Sequence, residues 1–169
     1  MTVDVELQPN LKILNTALRN ILSFRAASSG ALPPWYGRVL SNVLLLVGQD
    51  TVEYLSGTVD AEARSVKLVV FTAELVVRVD VADWKVDLAT LSATATPRTS
   101  LIGIQVESDE GVFSEDMFSN WPTAIRLALT YADEVEPLRL PLEREMNGDH
   151  LGPLRNLLSQ LRDDLKRSR

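Results

Sequence analysis

The chain has no cysteine and a single histidine, His150. The first absence removes disulfides, thiolate nucleophiles, iron–sulfur clusters and every cysteine-based zinc site. The second removes any two-histidine metal site within one chain. No cofactor is expected. Long apolar runs are missing too. The longest uninterrupted aliphatic stretch is residues 43–47, whereas a helix that spans a bilayer takes about 20 apolar residues. The first residues, Met1-Thr-Val-Asp-Val-Glu, hold neither a basic region nor an apolar one, so a signal peptide is not expected and the cytoplasm is the expected location. No G-x-x-x-x-G-K-[ST] phosphate loop, no G-x-G-x-x-G after a strand and no G-x-S-x-G elbow occurs.

What is present is the composition of an ordinary globular domain. Of 169 residues, 46% are hydrophobic and 24% charged, which excludes disordered, collagenous and disulfide-scaffold classes. A chain of this length buries roughly 70% of its extended surface on folding and needs no covalent staple. The net charge is −6, from 17 basic and 23 acidic residues. That balance repels polyphosphate, so nucleic acid is not an expected partner. Residues 101–145 carry most of the excess acid, and the C-terminal stretch from 146 is mildly basic.

The pattern predicts an α+β fold: an antiparallel sheet or partly closed barrel of about seven strands, N-terminal helical segments, and a C-terminal amphipathic helix packed on the sheet. Leu11, Leu14, Leu18, Ile21 and Leu22 recur at helical spacing over 9–25, with Pro9 suited to the first turn. Residues 26–34 contain Ser, Gly and two consecutive prolines and read as a linker. Residues 1–34 are therefore set apart from a single α+β domain over 35–169. Residues 36–47 fit a helix ended by Gly48 or a strand, with the glycine favouring the helix. From 51 onward the apolar period falls to two, as in Leu75, Val77, Val79 and Val81, or Ile125, Leu127, Leu129 and Tyr131. Strands are expected over 51–60, 65–72, 74–82, 85–95, 101–107, 124–132 and 137–142, each with one wet face. Pro141 marks the last as an edge strand. Leu154, Leu157, Leu158, Leu161 and Leu165 form one stripe over 151–167, and each leucine contributes roughly 1.5–3 kcal/mol on burial before entropy is subtracted.

Four groups of residues could carry chemistry. His150 lies in a polar turn near Glu143, Glu145 and Asp149, where an oriented imidazole could act as a general acid or base. A lone histidine in such a turn is ordinarily a solvated surface residue. Asp80, Asp83 and Asp87 flank Trp84, and a hairpin there would bring Asp80 towards Asp87. Close carboxylates can divide acid and base roles or hold a divalent cation, although the spacing fits no calcium loop. The segment 107–122 mixes acids, Glu115 and Asp116 among them, with Phe113, Met117, Phe118 and Trp121. Rings that anchor inside a charged rim suit a protein-docking loop. Finally, Trp35-Tyr36-Gly37 matches the W-x-G turn of the small helical-hairpin proteins exported by type VII secretion. The chain departs from that family in its short second helix, its missing tyrosine-acid signal and its strands, and the three-residue match is read as coincidence.

Seven strands followed by a helix, over about 51–167, resembles the pleckstrin-homology-like fold in element order. The tryptophan that such domains often carry in the last helix is absent. The stretch corresponding to their lipid-binding hairpin, residues 60–67, holds two acids and two bases, so the resemblance does not imply phosphoinositide binding. Scarce catalytic residue types, an aromatic–acidic loop and a separable amphipathic helix point to a non-catalytic protein-interaction or assembly module whose partner is another protein or a second copy. In the self-associating version, helix 9–25 packs on a neighbouring copy. The alternatives are a small carboxylate-based, metal-assisted enzyme and a carrier of a small apolar ligand.

Overall fold

In a computed structural model of the chain, the residues described are 8–23, 32–84, 89–108, 124–142 and 151–167. They form the helices α1 (Gln8–Ser23), α2 (Pro34–Val47) and α3 (Leu151–Arg167) and seven strands. The strands are β1 (Tyr54–Asp60), β2 (Ser65–Phe71), β3 (Leu75–Ala82), β4 (Thr90–Pro97), β5 (Leu101–Ser108), β6 (Ile125–Tyr131) and β7 (Leu138–Leu140). A 3-10 turn, Arg98–Ser100, joins β4 to β5. The fold is α+β, as the periodicity implies. The strands divide between two sheets, β1-β2-β3-β4 and β5-β6-β7, and do not close into one barrel. The chain separates into two compact units, Met1–Thr96 and Pro97–Arg169.

In the first unit, two helices lie on one face of the four-stranded sheet. Helix α1 packs against β1 and α2, and α2 packs against β3. The shared core holds Leu14 and Leu18 of α1, Trp35, Val39 and Val43 of α2, Val66, Leu68 and Val70 of β2, and Val77, Val79 and Val81 of β3. The leucines of α1, Leu14 and Leu18 among them, thus pack on the chain's own sheet. The fit is close at Gly57. A Cβ there would meet Ile21 Cδ1 at 2.5 Å and the Lys67 carbonyl oxygen at 3.1 Å. The β1–β2 and β2–β3 hairpins run in continuous antiparallel register, from Tyr54 opposite Phe71 to Asp60 opposite Ser65, and from Ser65 opposite Ala82 to Phe71 opposite Val76.

The ambiguity over 36–47 resolves as a helix. Pro34 occupies its first turn, where the missing N–H costs nothing, and Gly48 ends it at φ +60°, donating its N–H to Leu44 O at 2.8 Å. A strand would have split this aliphatic run between two faces. The helix instead buries Val39, Val43, Leu44 and Val47 and leaves Leu45 82% exposed. Trp35, Tyr36 and Gly37 lie inside α2, so they form no inter-helical turn. Trp35 is fully buried, and its indole N–H donates to the Trp84 carbonyl at 2.8 Å. The Tyr36 hydroxyl donates to Asn15 Oδ1 at 2.7 Å, tying α2 to α1. Asn10 extends that tie at the other end of the pair, donating its side-chain N–H to Asp50 O at 2.8 Å.

In the second unit, β6 is the central strand between β5 and β7. Ile125, Leu127, Leu129 and Tyr131 of β6 are all buried. Helix α3 packs against β5 and the 3-10 turn, burying Leu154, Leu157 and Leu161. Leu158 and Leu165, at the margins of the stripe, are half-buried. Strand β7 stops at Leu140, before Pro141, and lies at the edge as the proline requires.

Candidate functional site

The acids flanking Trp84 are placed by the turns around them. At the β1–β2 turn, Asp60 Oδ1 accepts the N–H groups of Glu62 and Ala63, both at 2.9 Å, and Arg64 adopts φ +51°. Such an aspartate turn satisfies its own backbone and reverses the chain tightly. After β3, Asp83 takes φ +55°. This left-handed step brings Trp84 back against the hairpin end, where its N–H donates to Arg64 O at 3.1 Å. The Trp84 ring packs against the core of the first unit, and its carbonyl receives the Trp35 indole N–H. Asp83 is therefore part of a bend that seats a tryptophan. Aspartate tolerates that backbone region better than most residues.

Asp80 is exposed on β3 and stands directly opposite Lys67 of β2. An exposed cross-strand pair of opposite charge contributes little to stability and is common on wet sheet faces. Asp87 and His150 lie outside the described residues, so the expected approach of Asp80 to Asp87 is not part of the geometry. Among the described residues, no group of three or more His, Asp or Glu side chains converges as a metal site would require.

Spacing does not reveal a buried ion pair of the second unit, Arg98 with Asp164. Arg98, in the 3-10 turn, sends its Nε and Nη2 to Asp164 Oδ2 at 2.8 and 2.7 Å. Both side chains are largely buried. They sit 66 positions apart, and the only signal in the sequence is that Asp164 falls beside the leucine stripe of α3 where its neighbour Asp163 does not. Asp163 is exposed and pairs with Lys166 at 2.8 Å, a hydrogen bond that holds its carboxyl below the ordinary value. Arg98 and Asp164 fix α3 to the start of β5. With each charge answered by the other, the arrangement is structural.

The remaining candidate is β5. Its alternation predicts that Ile102, Ile104 and Val106 form a buried face. The structure corrects this. A bulge between Leu101 and Gly103 leaves Ile102 without an opposite residue on β6, and Ile102 is 60% exposed. An extra residue of this kind interrupts the two-residue period and bends the strand. Ile104 and Val106 stand opposite Leu129 and Leu127 and so share the face of the buried leucines. Yet Ile104 is only half-buried, and Val106 is 48% exposed. Strand β5 is an outer strand of its sheet, so its side chains have a neighbouring strand on one side. Other exposed apolar residues, such as Leu45 and Val135, are scattered over separate elements. The strand then runs into the aromatic–acidic segment. Phe113, Glu115, Asp116, Met117, Phe118 and Trp121 all lie outside the described residues.

The chain matches no family profile and no curated protein by sequence. Among solved structures it is similar to a DUF1696 family protein with a pleckstrin-homology domain from Shewanella loihica PV-4. That likeness has a TM-score of 0.40 and 12% identity, covering 74% of this chain and 92% of the other. Among the described residues, no helix is long and apolar enough to cross a membrane.

Proposed function

We propose that the chain is a non-catalytic protein-interaction module whose contact surface is centred on β5 and the segment that follows it. The observation that supports this reading is the exposure of Ile102 and Val106 on one outer strand. Apolar side chains left in water on a sheet edge are favourable sites for another chain to cover, because contact removes them from solvent and an outer strand offers backbone partners. The residues from 109 to 122 add four large apolar side chains, Phe113, Met117, Phe118 and Trp121, among acids. The rings would supply affinity and the acids would favour a partner with basic residues at its rim. The enzyme reading draws less support, since Asp80 faces a lysine and Asp83 shapes a turn.

The test is an affinity capture from native host extract, comparing the intact chain with two variants. One is Val106→Glu on β5. The other combines Phe113→Ala, Phe118→Ala and Trp121→Ala. Specific proteins retained by the intact chain and lost by both variants, with unchanged circular dichroism, are the expected result. A partner held equally well by all three proteins would remove this surface from consideration.

A further inference from the structure

We draw no further inference here: the strongest candidate, the exposed apolar side chains of Ile102 and Val106 on the outer strand β5, belongs to the surface already described, and nothing in the structure shows what covers it.

Discussion

The two units of this chain solve the same packing problem with different chemistry. Residues 1–96 build a core from valine, leucine and one large tryptophan, with hydrogen bonds at its margins. Residues 97–169 bury leucines as well, but they also bury an arginine and an aspartate against one another. The first arrangement depends on shape: a helix approaches β1 closely enough that Gly57 has no room for a side chain. The second depends on charge at one point. An apolar core tolerates rearrangement because its contacts are non-directional. A buried ion pair does not, because loss of either partner leaves the other charge without compensation.

The largest effect that would sharpen this contrast is at Trp35. Replacing it with alanine removes the biggest fully buried side chain among the described residues and the donor to Trp84 O. A loss of roughly 3–5 kcal/mol is expected on chemical denaturation. A cost below about 1 kcal/mol would mean that α2 does not depend on this anchor.

Next is Asp164→Ala, which removes the carboxylate that the buried Arg98 guanidinium pairs with and is expected to cost about 3 kcal/mol. The double variant Arg98→Met, Asp164→Leu removes both charges and should recover most of that loss, since hydrophobic replacement of a whole buried pair is often neutral. Asp163→Asn, one residue away and exposed, serves as the control and should leave the denaturation midpoint unchanged. If the double variant is as unstable as Asp164→Ala, the charge argument for the second unit fails and a packing argument replaces it.

A smaller effect is expected at Gly57. Gly57→Val forces side-chain atoms against Ile21 and the Lys67 backbone, and overpacking of this kind costs roughly 1–3 kcal/mol. A crystal structure of the variant should show α1 displaced from β1. An unmoved helix would show that the close approach is incidental.

The smallest effect is a pH dependence at the α1–α2 contact. Burial raises the Tyr36 phenol above its ordinary value of 10.0, against the Arg19 guanidinium, which lowers it. The folded state therefore favours the neutral phenol. Its contribution to stability is complete below about pH 10 and is lost as pH rises through the raised value. Tyr36→Phe should show a shallower decline above about pH 10 than the parent chain. Equal slopes in denaturation midpoint against pH would show that this phenol does not couple to folding.

Much of the architecture was legible because it depends on local periodicity. Helix α3 spans Leu151–Arg167, the range read from the leucine stripe, and six of the strands have bounds within about three residues of those read from alternation. The fourth strand starts later, at Thr90, with residues 85–88 outside the described set. Pro141 marked an edge correctly, because a missing N–H is a local property. The candidate site was far less legible. Alternation marked Ile104 and Val106 as inward, and they do share the face of Leu127 and Leu129. Whether anything covers that face is decided by neighbouring elements, which alternation does not encode. Asp83 looked like one of three acids, and its role emerged only with the left-handed turn that seats Trp84.

From the sequence alone came the α+β class, about seven strands, the first and last helices, the absence of cysteine chemistry and the surplus of acid. These follow from composition and from side-chain period, which each short stretch carries by itself. Only the tertiary structure decided that the strands part into two sheets, that α1 lies on its own β1, that Arg98 meets Asp164, and that β5 is left partly uncovered. Each of those depends on residues far apart in the chain meeting in space, and the free energy of such a meeting resides in the pair.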